Sequence, residues 1–217
     1  VKYLKELCGY PVKSAIDLVE ATQDTGAFVI YSSALKRLAI KLSKISNDLR
    51  LLSSGPRAGL WEINLPAMQP GSSIMPGKVN PVIPELVNLV TFRVMGNDVA
   101  VTIAAKTGQL QLNAYEPLAI SAILESQKLL TNTMKVFKTK CVDGITANED
   151  IMKKYIDQSV GIVTALNPVL GYEKTTELAK EALETGKGIL ELIREKKLLT
   201  EDQIKELLDP KKMTGQE

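Results

Sequence analysis

Apolar residues recur at helical spacing along most of the chain. Over residues 11–52 they return at intervals near three, four and seven, which is typical of an amphipathic α-helix. The same period runs from about residue 84 to 113 and from about residue 118 to 141. A helix of about 40 residues is about 60 Å long, which exceeds the diameter of a small domain. The pattern therefore predicts long helices in a bundle or in the core of an oligomer.

The pattern is interrupted between the first two predicted helices. Residues 55–83 contain four glycines and five prolines and few periodic apolar positions. A connection of about 29 residues is longer than compact domains usually contain, and function is the usual reason for such a loop. We therefore expect this connection to carry the chemistry of the protein.

Beyond Asp143 and Gly144 the helical segments become short, at about 8–16 residues each. The last of them has a capping signal, because Thr200 precedes the predicted helix and Gln203 stands three positions later. We expect an all-α chain without strands. Residues 1–141 would form a domain of long bundle helices that carries the loop 71–81, and residues 142–217 a small helical carboxy-terminal domain.

The loop contains groups that suit recognition of an anion. Gly71, Ser72 and Ser73 allow backbone N–H groups to converge on a carboxylate, while Lys78 adds a positive charge and Asn80 an amide. Such groups can stabilise the dianion that forms when a proton leaves a carbon beside a carboxylate. Ser72 could remove that proton only as an alkoxide, because its hydroxyl is a poor base at its ordinary pKa.

A purely structural interpretation of the same loop stays open at this point. Glycine, serine, proline and asparagine are common turn formers, and Lys78 alone could be a solvated surface residue. Glu85 could simply place a favourable charge in the first turn of its helix. The apolar pair Ile74 and Met75 favours function, because a merely solvated connector rarely contains two such residues together.

Composition narrows the function classes. The chain has a net charge of +2, which is too small to indicate nucleic acid or a membrane surface as partner, and no stretch approaches the roughly 20 apolar residues of a membrane span. Histidine is absent, and Cys8 and Cys141 are far apart, so neither a zinc site nor a disulfide framework is expected. We expect a cytoplasmic protein. Because the chain begins at Val1 rather than at methionine, we also expect an amino-terminal part to be missing.

Residues 71–81 read GSSIMPGKVNP, which matches the pattern G-S-S-x-M-P-x-K-x-N at every specified position. This segment resembles the signature loop of the aspartase/fumarase superfamily. The continuation VIPE at residues 82–85 is similar to the aspartases, whereas fumarases typically continue with TQCE. Further similarity to the aspartases lies at residues 63–70, 108–113, 144–148 and 161–164. Lys106 departs from it, because aspartases more often have an acidic residue there.

The resemblance is to the carboxy-terminal half of aspartases, and it implies β-elimination of ammonia from L-aspartate to give fumarate. It also implies an all-α homotetramer in which three subunits build each active site, so that this chain alone would be inactive. No cofactor is implied, although divalent metal activates some bacterial members. The roles implied for residues of the loop are as follows: Ser72 is the base, Lys78 and Asn80 bind a substrate carboxylate, N–H groups near Ser73, Ile74 and Met75 stabilise the aci-carboxylate, Gly71 and Gly77 are hinges, and Glu85 supports the site. Two alternatives stay open, a class II fumarate hydratase and a catalytically inactive helical scaffold.

Overall fold

The computed structural model describes residues 1–69, 71, 74–209 and 213. It divides into two compact units, Val1–Thr146 and Ala147–Glu217. The predicted boundary between residues 141 and 142 falls close to this division. The all-α prediction is confirmed, and the described α-helices are α1 Lys2–Cys8, α2 Glu20–Gln23, α3 Gly26–Leu52, α4 Val82–Lys106, α5 Glu116–Lys140, α6 Glu149–Gln158, α7 Val163–Leu170, α8 Tyr172–Thr185, α9 Ile189–Glu195 and α10 Glu201–Leu207.

Two short strands, β1 Ile63–Asn64 and β2 Thr146–Ala147, correct the expectation that the chain has no strand. Each is only two residues long, which is too short for apolar alternation to be recognised in the sequence. Two 3-10 turns, Val142–Gly144 and Val160–Ile162, complete the described elements.

The first unit is built on the three long helices α3, α4 and α5. At one end, Val101 of α4 and Ala119 of α5 pack against Phe28 of α3, and at the other end Val87 of α4 packs with Phe137 of α5. The end of α4 therefore lies beside the beginnings of α3 and α5, so α4 runs antiparallel to both. Burial of this shared apolar stripe is what stabilises helices of such length.

Buried polar residues of α4 bond to both neighbouring helices. Asp98 accepts a hydrogen bond from Ser32 at 2.8 Å and forms an ion pair with Lys36, which both lie on α3. On the other side, the Asn97 carboxamide donates to Ser126 and Glu125 of α5 at 3.0 and 2.8 Å. Donation by Asn97, together with the guanidinium of Arg93, lowers the pKa of Glu125 below its ordinary value. Satisfied polar groups of this kind fix how the three helices are aligned.

Helix α4 is long and apolar enough, by length and composition, to cross a bilayer. This corrects the expectation that no stretch approaches a membrane span. A core helix of a globular bundle passes the same test, and 44% of the apolar window is buried inside the structure. Buried Asn88, Asn97 and Asp98, all hydrogen-bonded to other helices, fit the core interpretation.

The predicted bounds of the first long helix were wrong. Residues 11–19 are not helical, and α3 begins only at Gly26. The reason is local: the Asp17 carboxylate accepts the backbone N–H groups of Val19 and Glu20, at 2.8 and 3.1 Å, and so starts the separate short helix α2. Ile16 is fully exposed, so its apolar character does not mark a buried face.

The bounds of the next two helices also differ from the prediction. Helix α4 ends at Lys106 rather than near residue 113, because the Asn113 carboxamide donates to the Ala104 carbonyl at 3.1 Å and satisfies the helix end. Helix α5 begins at Glu116, so Pro117 lies in its first turn rather than interrupting it.

In the described part of the second unit, helices α7 to α10 pack around a core of their own, to which α6 contributes no buried residue. The buried residues of this core are Ile162, Leu166, Leu178, Ala182, Ile189, Leu192, Ile193 and Ile204. The predicted capping signal is confirmed, because the Thr200 hydroxyl accepts the Gln203 N–H while the Gln203 side chain accepts the Thr200 N–H. Pro168 lies inside α7, and Gly186 ends α8 at a φ of 72°.

Candidate functional site

The connection between α3 and α4 opens with a tight turn that follows directly on α3. The backbone N–H of Trp61 donates to the Ser54 carbonyl at 2.7 Å, and the N–H of Leu60 donates to the Ser54 hydroxyl at 3.1 Å. A Cβ atom at Gly59 would lie 2.4 Å from the Ser54 carbonyl oxygen, so only glycine fits there. The turn therefore holds residues 54–61 in a compact hairpin.

Trp61 stands at the end of this turn with an unusual backbone. Its φ is 49°, in the left-handed region that non-glycine residues seldom adopt. The indole Nε1 donates to the Asn64 side-chain oxygen at 3.1 Å, and the Asn64 amide donates to the Thr146 hydroxyl at 3.1 Å. These bonds connect the only tryptophan of the chain to strand β1 and to Thr146.

The described part of the predicted loop is closed at its base. The Gly71 N–H donates to the Lys78 carbonyl at 2.7 Å, and the Asn80 carboxamide donates to the Gly71 carbonyl at 3.0 Å. Between them, the Lys78 N–H donates to the Met75 carbonyl at 3.2 Å across Pro76 and Gly77. The φ of 82° at Gly77 is that of the third position of a type II turn, where glycine is favoured.

The serine that is predicted to act as the base is not among the residues that the structure describes. Ser72 and Ser73 are outside the described residues, so their predicted roles stay predictions. Among the described loop residues, Ile74 and Met75 are exposed, as is Lys78. Asn80 is partly buried, because its side chain is drawn into the base of the loop.

Two open cavities meet at Lys78. One, of about 470 Å³, is lined by Lys78, Asn80, Trp61 and Asn64 together with apolar and backbone surface. A second, of about 480 Å³, shares Gly77, Lys78 and Val79 with the first. The sequence did not predict that Trp61 and Asn64 line this cavity, because they precede the loop by several positions and only the fold brings them beside it.

Glu85 lies in the first turn of α4, where its charge is favourable. Its carboxylate is 3.9 Å from the guanidinium of Arg50, near the end of α3. Both side chains are about 42% exposed, so the pair contributes little to stability. It does join the two helix ends from which the loop emerges, and the supporting role predicted for Glu85 stays a prediction.

The described residues contain no group of three or more histidine, cysteine, aspartate or glutamate side chains that could hold a metal ion. The exposed Lys78, the carboxamides of Asn64 and Asn80 and the indole of Trp61 form a polar, cationic surface beside the loop. Such a surface suits a small anion such as a carboxylate, because the ammonium group of lysine and the amide N–H groups can donate hydrogen bonds to carboxylate oxygens.

Comparison with known proteins finds two protein families. One, described as "Lyase", matches residues 1–96, and the other, described as "Fumarase C C-terminus", matches residues 162–215. Among curated proteins, the chain is 58% identical over 213 residues to an aspartate ammonia-lyase of Pseudomonas aeruginosa, a match that covers 98% of this chain and 45% of that protein. It is 55% identical over 207 residues to the aspartate ammonia-lyase of Escherichia coli, covering 95% of this chain and 43% of the relative.

Solved structures of lyases are also similar to this chain. A structure described as fumarate lyase:delta crystallin from Brucella melitensis bound to cobalt superimposes with a TM-score of 0.86 and 53% identity, covering 97% of this chain and 45% of that one. A recombinant class II fumarase from Schistosoma mansoni superimposes with a TM-score of 0.83 and 35% identity, covering 95% and 46%. The chain thus spans a little under half the length of the relatives that it matches.

Proposed function

Because the chain belongs to the aspartase/fumarase superfamily of lyases, we propose that it carries the proton-abstracting loop of an enzyme that eliminates ammonia from L-aspartate to give fumarate. One observation supports this choice above the others. Over nearly the whole chain, identity is much higher to proteins named aspartate ammonia-lyase than to the class II fumarase. The VIPE continuation after the loop favours the same branch.

We assign the chemistry to Ser72. As an alkoxide it would take the proton from Cβ of L-aspartate, and the electron pair of that C–H bond would pass into the neighbouring carboxylate to give an aci-carboxylate. When this electron pair moves back from the aci-carboxylate towards carbon, the Cα–Cβ double bond forms and the C–N bond breaks. The α-ammonium group leaves as ammonia, and the product is fumarate.

The remaining loop residues would bind and stabilise the substrate. Lys78 is exposed and lines two cavities, so its ammonium group can bind a carboxylate there. We assign Asn80 to the same carboxylate through the part of its amide that does not face Gly71, and the peptide N–H groups near Ser73, Ile74 and Met75 to the developing dianion. No resident cofactor is proposed, and activation by a divalent metal would act on the assembled enzyme.

We further propose that the active protein is a cytoplasmic homotetramer whose sites are each shared by three subunits. Support comes from helix α4, where a stripe of apolar residues stays exposed in the single chain: Leu86, Leu89, Phe92, Val99 and Ile103. Their spacing of three, four or seven places them on one face. Since the chain spans less than half the length of its relatives, we expect it to be inactive by itself.

The proposal is tested by giving the full-length protein L-aspartate and, separately, L-malate. We expect fumarate to appear from aspartate, followed by its ultraviolet absorbance. Turnover of malate alone would replace the proposal with a fumarate hydratase. Turnover of neither substrate, with a dicarboxylate still bound, would favour an inactive scaffold.

The role of Ser72 is tested by Ser72→Ala in the same full-length protein. Loss of the only proposed base is expected to lower kcat for aspartate by a factor of about 1,000 or more while the assembly stays intact. Ser14→Ala, at an exposed serine far from the loop in sequence, is the matched control and should retain turnover. A Ser72→Ala protein with substantial kcat would remove Ser72 from its role.

A further inference from the structure

The base of the loop is held by two hydrogen bonds that both involve Gly71. Its N–H donates to the Lys78 carbonyl at 2.7 Å, and its carbonyl accepts from the Asn80 carboxamide at 3.0 Å. Gly71 is therefore fixed on both its donor and its acceptor side. We call this pair of bonds the neck of the loop.

The neck is also closed sterically. A Cβ atom at Gly71 would lie 2.3 Å from the Lys78 carbonyl oxygen, 2.7 Å from its carbon and 3.0 Å from the Val79 Cα. All three are backbone atoms, which cannot turn aside as a flexible side chain can. Any side chain at position 71 would therefore force apart the two loop segments that meet in the neck.

Gly71 is the residue immediately before Ser72. The neck therefore fixes the residue that directly precedes the proposed base in the chain. We propose that Asn80 is a positioning residue, which holds Gly71 and so keeps closed the base of the loop that carries Ser72. This inference rests on the proposed function of Ser72 and adds a role for Asn80 beyond contact with a carboxylate.

The hydrogen bond from the Asn80 carboxamide to the Gly71 carbonyl can be removed by a single substitution. The Gly71 carbonyl can only accept a hydrogen bond, so Asn80→Asp keeps the shape of the side chain but places an acceptor against an acceptor. Gly71→Ala opens the same neck by steric contact instead. If both act through the neck, the two substitutions should have the same consequences although their chemistry differs.

Asn64→Asp is the matched control. The Asn64 amide donates to the Thr146 hydroxyl at 3.1 Å, and a hydroxyl can rotate to donate to a carboxylate instead. The same change of residue type therefore leaves this contact able to form, whereas the contact of Asn80 with a carbonyl cannot.

The first experiment uses this chain and needs no activity. A closed loop base should slow cleavage by trypsin after Lys78, so cleavage should become faster when the neck opens, and intact mass reports the fragments 1–78 and 79–217. We expect Asn80→Asp and Gly71→Ala to be cut at this bond about three to ten times faster than the unaltered chain, and Asn64→Asp at the unaltered rate. An unchanged rate for Asn80→Asp would overturn the proposal, and so would a rate for Asn64→Asp that rises as much.

The second experiment uses the full-length protein and separates positioning from direct binding. We expect Asn80→Asp and Gly71→Ala each to lower kcat for aspartate by about tenfold, and the double variant to lower it no further, because both open one neck. Affinity for the competitive dicarboxylate succinate should fall in both variants, and further in Asn80→Asp, which also loses the proposed contact with the carboxylate. If it falls only in Asn80→Asp, and the double variant shows the product of the single effects, then Asn80 acts as a carboxylate ligand alone. Absence of any aspartate turnover would instead contradict the proposed function, while the trypsin result would still test the neck.

Discussion

Two buried serines of helix α3 differ in whether their hydroxyl groups have partners. Ser32 donates to the carboxylate of Asp98 at 2.8 Å. Ser46 is 0% exposed, and within the described part of the chain its hydroxyl has no hydrogen-bond partner. A buried polar group without a partner loses its hydration and gains nothing in exchange.

We therefore expect the same substitution to have opposite effects at the two positions. Ser46→Ala should raise the free energy of unfolding by about 1 kcal/mol, because it removes an unsatisfied hydroxyl, and Ser32→Ala should lower it by about 2 kcal/mol, because it removes a bond to a charged group. Urea unfolding of this chain followed by circular dichroism measures both. Equal losses of stability would show that the Ser46 hydroxyl has a partner after all.

At the scale of single residues, the sequence led to predicted roles but not to the contacts of the side chains. Residue type and a recognised loop pattern predicted roles for Lys78, Asn80 and Glu85, and these roles stay predictions. The bond from Asn80 to the Gly71 carbonyl could not be predicted, since it depends on how the chain returns on itself between those residues. Trp61 was missed for a similar reason, because a left-handed backbone at tryptophan has no sequence signal.

At the scale of helices, local side-chain bonds decided where elements begin and end. Asp17 accepts backbone N–H groups where the separate helix α2 starts, and Asn113 donates to a carbonyl where α4 ends, so the helices are shorter than the apolar period suggested. Such capping can be predicted where it follows a known pattern, as Thr200 and Gln203 do. The Asn113 contact is with the Ala104 carbonyl nine residues away and follows none.

The capping box of α10 gives a prediction for the second unit. Thr200→Ala removes the oxygen that accepts the Gln203 N–H, and we expect a loss of about 1 kcal/mol in the free energy of unfolding of this unit. Thr176→Ala is the control. The Thr176 hydroxyl donates to the Tyr172 carbonyl within α8, and alanine is a better helix former at an interior position, so stability should be unchanged or slightly higher.

Both variants are compared by thermal unfolding of this chain, with amide hydrogen exchange assigning the change to α10 or α8. Equal protection of α10 in Thr200→Ala and in the unaltered chain would contradict a stabilising role for the cap.

At the scale of the whole molecule, the helical period was sufficient to predict an all-α fold of long helices followed by shorter ones. The reason is that burial of an apolar stripe, rather than any particular side chain, determines the class of fold. The period does not reveal which apolar face a second copy covers, because both faces have the same spacing in the sequence. The exposed fractions of the side chains in the single chain distinguish the two faces. Helix α4 has one buried face and one apolar exposed face.

The exposed face of α4 leads to a prediction about assembly. Leu89 is 65% exposed and lies midway between Leu86 and Phe92 on that face. If neighbouring subunits of the full-length protein cover it, Leu89→Glu would bury a charge without a partner, which strongly disfavours association. We expect sedimentation velocity to show species smaller than a tetramer and aspartate turnover to be lost, since each site is proposed to need three subunits. Leu183→Glu on α8, where the leucine is 73% exposed, makes the same change in the other unit and should leave both assembly and turnover intact. A Leu89→Glu protein that remains tetrameric would show that this face is not the interface, and the apolar stripe would then need a different partner.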